Sequence, residues 1–265
     1  MKFIAFFVLS ACAAMAQFTA EEQMRFCSHT NEIGEIFNWR MSAPRYPVEG
    51  KKYPLIIFLH GSGECGTDNK RHIKLGLPKL LHTLRVLNRE AMVMAPQCQS
   101  GGWWVEKLAM SADYRMPRKP APAMDVMMEV ISHIETSYPV DVERIYITGL
   151  SLGGFATWDA IQRYPEKFAA AVPLCGGGDV HAVKSLKNLP IWVFHGDNDK
   201  NVSVECSRRM VAALRSAGCR RLFYTEYKGV AHNCWDRAYS DQEMVSWLLD
   251  QRRYKKPPFW KFWAR

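Results

Sequence analysis

The chain has 265 residues, 48% of them apolar and 12% aromatic, with a formal charge of +9. That length suits one large α/β domain or two small ones, and the apolar share excludes global disorder. The cations are scattered as short pairs such as Lys51-Lys52 and Arg208-Arg209. No basic helix or aromatic-basic repeat is visible, which argues for a solvated surface and against a nucleic-acid module.

Met1-Lys2 is a positive start, Phe3 to Leu9 an apolar run, and Ala14-Met15-Ala16 a small-x-small cleavage site. Together they read as an export signal over residues 1–16, cleaved after Ala16. Leu9-Ser10-Ala11-Cys12 offers an alternative: it resembles a bacterial lipobox, in which Cys12 would carry a lipid anchor. The run is too short for a permanent transmembrane helix. The expected location is therefore periplasmic or extracellular, with a membrane-anchored lipoprotein as the alternative. Removing the segment takes away Lys2 and no acid, leaving +8 and seven cysteines. Cys206 and Cys219 flank a helical stretch that holds their Cα atoms about 20 Å apart, beyond disulfide reach. No Cys-x-x-Cys occurs, so neither a zinc knuckle nor a thioredoxin motif is supported.

In chain order, Ala20 to Phe26 reads as a short helix and Ile33 to Met41 as an edge strand. Tyr53 to Gly61 is a continuous apolar run bounded by Pro and Gly, the pattern of a strand buried on both faces. It ends in His60-Gly-Ser-Gly-Glu-Cys-Gly66, a loop able to bring bare N–H groups against a substrate oxygen; His60 is expected to orient this loop. Arg71 to Leu87 is helix-like. Ala91 to Pro96 is a strand, followed by Gln97 to Trp104, whose paired Trp103 and Trp104 suggest a substrate-facing wall, with core packing the competing role for one of them. Ser111 to Ala121 reads as a loop. Pro122 starts a helix whose apolar stripe runs to Tyr138.

Arg144 to Phe155 carries the strongest signal. An apolar β run, Ile145 to Thr148, breaks into Gly149-Leu-Ser151-Leu-Gly153, and a helical pattern follows. Strand, tight Gly-flanked turn around a Ser, then helix is the context of a nucleophile elbow. Further strands are expected at Phe168–Leu174, Leu189–His195 and Arg221–Tyr227, and helices at Ser203–Ala217 and Ser240–Arg252. Alternation of this kind argues for a mostly parallel sheet with helices on both faces, its active groups at the carboxyl ends of the strands.

A serine nucleophile needs a base, and the base needs an acid to fix its tautomer. Ser151, Asp199 and His232 follow one another in that order, each on a loop after an expected strand. Asp197 and Asp236 are rivals for the acid, and His195, His181 and His133 are weaker choices of base.

Gly149-Leu-Ser-Leu-Gly-Gly, His60-Gly-Ser-Gly-Glu, Phe194-His-Gly-Asp-Asn-Asp199 and Gly229-Val-Ala-His232-Asn-Cys-Trp-Asp resemble motifs of the α/β-hydrolase carboxylesterases related to prolyl oligopeptidases. Within those, the chain is similar to the polyhydroxybutyrate depolymerases and the feruloyl and acetylxylan esterases. Pro96-Gln-Cys98 and Val172-Pro-Leu-Cys-Gly-Gly-Gly178 also fit. The resemblance runs from about Tyr53 to Arg252 and implies a single-domain α/β-hydrolase fold. It also implies an exported serine carboxylesterase, acting on small or polysaccharide-linked esters such as feruloyl or acetyl esters, without cofactor or metal. In that reading Ser151, His232 and Asp199 are the triad, and the N–H groups of Leu152 and Ser62 form the oxyanion hole. Gly61, Trp103 and Trp104 then border the substrate, and Trp158 hints at an aromatic or sugar-bearing ester. The implied organisation is a signal at 1–16, an extension with an edge strand at 17–50, a catalytic domain at 51–253 and a basic aromatic tail at 254–265. A serine peptidase and an inactive binding protein on the same fold are the alternatives.

Overall fold

The computed structural model describes residues 19–30, 34–44, 46–106 and 114–253. The expected signal at 1–16, with Cys12, and the tail at 254–265 lie outside the described residues. Strand β3 (Tyr53–Leu59) sits in the middle of the sheet, and Leu55 to Leu59 have no exposed surface. Its side chains alternate between two cores. Leu55, Ile57 and Leu59 join the core on one face, and Ile56 and Phe58 join the core on the other. A strand clothed on both sides needs apolar residues at every position, which explains the unbroken run.

The other strands are β1 (Arg25–Thr30), β2 (Ile36–Ser42), β4 (Met92–Pro96), β5 (Val140–Leu150), β6 (Ala170–Leu174), β7 (Ile191–Gly196) and β8 (Leu222–Tyr227). All eight form one sheet in the order β1-β2-β4-β3-β5-β6-β7-β8. β1 pairs with β2, and β2 with β4, antiparallel; the remaining pairs are parallel. Helices α3 (Pro122–Ser137), α4 (Leu152–Arg163) and α5 (Glu205–Ser216) cover one face through Met127, Trp158 and Met210. Helices α2 (Leu77–Val86) and α7 (Gln242–Asp250) cover the other through Leu80, Leu84, Val245 and Leu248. Each such side chain contributes roughly 1.5–3 kcal/mol of burial. The single domain has the α/β-hydrolase architecture.

Four local expectations are corrected. The helix at 20–26 stops at Gln23: α1 (Ala20–Gln23) has a capping box between Thr19 and Glu22, and Met24 is already extended. Arg25 to Thr30 then forms β1, so β2 is an inner strand and not the edge. The helix at 71–87 is interrupted at Gly76, whose φ of 71° favours glycine; a 3-10 turn at Arg71–Ile73 precedes it and α2 follows. The loop after β8 winds into a short helix, α6 (Trp235–Ala238). Among the described residues no helix is long and apolar enough to cross a membrane.

Candidate active site

Ser151 joins β5 to α4 with φ 55° and ψ −118°, a conformation sparsely used by residues with a side chain. Such a turn stores on the order of 1–3 kcal/mol of strain, which the surrounding structure must hold. Close packing holds it. A Cβ at Gly149 would lie 2.4 Å from Gly153 O, and one at Gly153 would lie 2.1 Å from Leu59 O. The Ser151 N–H donates to Leu174 O at 3.1 Å and faces Cys175 Sγ at 3.3 Å. The elbow is thus clamped between β3 and β6, with its hydroxyl turned outward.

His232 comes from the loop between β8 and α6, and Asp199 from the turn after β7. Ser151 Oγ lies 2.9 Å from His232 Nε2, and His232 Nδ1 lies 2.6 Å from Asp199 Oδ2. The Asp199 carboxylate has no exposed surface, whereas the His232 ring keeps 17%. Burial raises the Asp199 pKa, but N–H donation from Val202, His232 and Asn201 outweighs it and leaves the carboxyl below its ordinary value. Val202 N and Asn201 N donate to Asp199 Oδ1 at 2.9 and 2.8 Å, leaving Oδ2 for the imidazole. Of the rival acids, Asp197 is exposed and caps a turn by accepting from Gly229 N at 2.6 Å. Asp236 is exposed in α6, near Asn233. His133 sits on α3, beside Ser137, and His181 lies exposed after β6.

His195 has a place that the sequence reading did not foresee. It is fully buried, and its Nε2 stands 3.0 Å from Val202 O and 3.3 Å from Asp199 Oδ2. Burial lowers its pKa, so the ring is neutral near pH 7, and facing a carbonyl requires that the proton sit on Nε2. Nδ1 lies 2.8 Å from Ser207 Oγ, which also stands 3.0 Å from Gly176 O. The signal was its spacing, four residues before Asp199 on the same strand-to-loop junction.

The loop after β3 is also fixed by a histidine. His60 Nδ1 donates to Gly61 O at 2.6 Å, and Nε2 accepts from Cys98 N at 3.0 Å. Burial lowers the His60 pKa to about 4, so it stays neutral and orients the loop, as expected from the sequence. Ser62 opens a 3-10 turn and Leu152 opens α4. First-turn N–H groups have no acceptor within their own helix and are available to an anion.

A cleft of about 350 Å³ opens over Ser151, and Gly61, Ser62, Glu64, His232 and Trp235 line it. Trp235 stands edge-on to His232, with ring centroids 5.2 Å apart, a contact not anticipated although it lies within the His232 motif. The expected tryptophan wall is corrected. Trp104 is fully buried and packs on His60 and Phe37. Trp103 borders a separate cavity of about 160 Å³ beside Phe37 and Val126. Trp158 is buried in the core under α4. Among the described residues, Cys175, Asp199 and His232 alone bring three metal-type donors within 4.8 Å of one another. A cation there would have to displace the Asp199–His232 bond and ionise Cys175, whose burial raises its pKa.

Residues 47–244 match the phospholipase/carboxylesterase family. The chain is 25% identical over 206 residues to a probable carboxylesterase SOBER1-like of Arabidopsis thaliana, covering 73% of this chain and 77% of that protein. It is 34% identical over 71 residues to the bifunctional acetylxylan esterase/xylanase of Neocallimastix patriciarum. That stretch covers 27% of this chain but 11% of the longer protein. A solved structure described as a thermostable esterase superposes with a TM-score of 0.80 at 36% identity, covering 87% of this chain and 64% of that one. With the family matched over most of its length on this fold, the chain belongs to the phospholipase/carboxylesterase family as a carboxylesterase-type α/β-hydrolase.

Proposed function

We propose that the protein is an exported serine carboxylesterase whose triad is Ser151, His232 and Asp199. The observation that carries this reading is the relay of 2.9 Å and 2.6 Å from Ser151 Oγ through the imidazole to a buried carboxylate. His232 Nε2 takes the Ser151 proton as Oγ attacks the ester carbonyl. Asp199 holds the Nδ1–H tautomer and stabilises the imidazolium. Leu152 N–H and Ser62 N–H receive the oxyanion, each worth about 3 kcal/mol in the transition state. The protonated His232 passes its proton to the leaving alcohol, and an acyl group remains on Ser151. Water, deprotonated by the same imidazole, then releases the acid.

Acetyl or feruloyl esters of plant polysaccharide are the substrates we favour. The similarity to an acetylxylan esterase/xylanase supports the acetyl choice, and the signal-like residues 1–16 fit action outside the cytoplasm. The test is hydrolysis of p-nitrophenyl acetate, methyl ferulate, acetylated xylan and a proline-containing anilide by the mature chain and by Ser151→Ala. Ester turnover lost in Ser151→Ala is the expected result. Turnover of the anilide alone would make the protein a peptidase. A folded chain with no turnover and no phosphonate adduct on Ser151 would overturn the enzymatic reading.

A further inference from the structure

We infer that Glu64 is a specificity-determining residue that selects substrate by charge, favouring neutral and cationic esters over anionic ones. The inference rests on the esterase reading above and deepens it. The chain carries 35 Lys and Arg against 26 Asp and Glu, yet its cleft inverts that balance. Among the described residues, Glu64 is the carboxyl group lining the space over Ser151, and neither Lys nor Arg lines it. Leu75, Leu150, Val202 and Trp235 supply the apolar part of the wall, and Asn201 adds an uncharged polar side chain.

Position brings that carboxyl to the same side of the Gly61 loop as Ser151. The point where Gly61 would carry a Cβ lies 2.9 Å from Glu64 Oε2 and 3.6 Å from Ser151 Cβ. The Glu64 side chain therefore folds back over the loop that offers the Ser62 N–H. Among the described residues it has no ion-pair partner, and half-burial raises its pKa despite backbone N–H donation from Gly61 and from Glu64 itself. A substrate carboxylate in this cleft meets a like charge and, among the described lining residues, no Lys or Arg to offset it. An ammonium group would pair with Glu64, and a hydroxyl would donate to it. Placing one unpaired charge where the wrong ligand must approach is discrimination by repulsion.

The test uses two matched series. In the acyl series, p-nitrophenyl valerate, the p-nitrophenyl monoester of glutaric acid and p-nitrophenyl 4-trimethylammoniobutyrate differ in terminal charge. In the alcohol series, ethyl thioacetate, S-acetyl-3-mercaptopropionate and acetylthiocholine do the same. For the wild-type chain, kcat/KM for the neutral ester should exceed that for the anion roughly tenfold or more in at least one series, equivalent to about 1.4 kcal/mol. Glu64→Gln should bring that ratio close to unity, and Glu64→Lys should reverse it. Phosphonate labelling of Ser151 reports that each variant is folded, with Glu64→Ala as the substitute for a variant that does not label. Equal neutral-to-anionic ratios in wild type and the neutral variant, in both series, would overturn the inference. That failure leaves neutral-ester turnover intact, whereas failure of the esterase reading removes turnover of every ester.

Discussion

His195 Nε2 stands 3.3 Å from Asp199 Oδ2, the same carboxylate oxygen that His232 Nδ1 reaches at 2.6 Å. Two imidazoles thus converge on one oxygen. The outer one faces solvent and Ser151; the inner one is buried and tied to Ser207 and Val202. His195 touches no substrate in this arrangement and acts by positioning Asp199. Its replacement by Asn should lower kcat roughly tenfold, a typical cost for an outer partner of a functional group, with little change in KM. Ser207→Ala should produce a weaker effect of the same kind. Steady-state kinetics on a p-nitrophenyl ester separates the two parameters, and a change confined to KM would contradict the positioning role.

The two aspartates of the β7 turn are told apart by their partners. Asp199→Asn keeps the volume but presents an amide to Nδ1, favouring the wrong tautomer of His232; kcat should fall by about 10⁴-fold. Asp197→Asn weakens one exposed hydrogen bond to Gly229 N. It should cost about 1 kcal/mol of stability and leave kcat within tenfold. If Asp197→Asn proved the more damaging to kcat, the acid would be misassigned.

Legibility in the sequence followed burial. β3 reads as a strand because every one of its seven residues is buried, so composition alone declares it. The Ser151 elbow is legible because steric contacts under 2.5 Å leave no room for a side chain at Gly149 or Gly153. β1 was hidden: its residues are exposed or half-exposed, it pairs on one edge only, and Thr19-x-x-Glu22 advertises a helix just before it. Trp103 and Trp104 show a different limit. Adjacent in sequence, they diverge because Trp104 finds His60 and Phe37 while Trp103 remains at a rim, and those partners are distant in the chain.

Acid should destabilise the fold before it protonates the ordinary carboxylates. Burial holds the His60 pKa at about 4, against about 6.5 for an unfolded histidine. Between those values the unfolded chain takes up a proton that the folded chain refuses. Stability therefore falls as pH drops from about 6.5 to about 4, by on the order of 3 kcal/mol from this residue. The lowered Asp199 pKa acts in the same direction further down: its contribution is present above the ordinary carboxylate value and is lost as pH falls through the folded value. Urea unfolding at pH 7, 5.5 and 4.5 should show the midpoint falling, and His60→Asn should make that fall smaller, with the remainder carried by His72 and His195, whose pKa values burial also lowers. An unchanged slope in that variant would show that His60 is not the group responsible.

Two pairs of thiols meet in the fold, and they differ in access. Cys65 and Cys98 are in hydrogen-bond contact, which holds the Cys65 pKa below its ordinary value and raises that of Cys98. Their loops are already joined by Gly66 N donating to Cys98 O at 2.8 Å. Cys175 and Cys234 also touch, but neither has exposed surface and burial raises the Cys175 pKa. Oxidised glutathione should therefore react first at half-exposed Cys65. Its thiolate attacks one glutathione sulfur and expels glutathione thiolate; Cys98, on losing its proton, then displaces the second. Two protein thiols are oxidised and one glutathione disulfide is reduced to two thiols. Mass spectrometry should find the loss of two hydrogens, mapped to a Cys65–Cys98 peptide and absent in Cys65→Ser. The closed loop should stabilise the chain by about 3–4 kcal/mol on the chain-entropy estimate. It also fastens the Gly61–Glu64 turn to the end of β4, so reduction should lower both the melting temperature and the rate of phosphonate labelling. A stable glutathione adduct on Cys65, with Cys98 still free, would show that the pair does not close. Cys175 and Cys234 should remain reduced until the chain is unfolded.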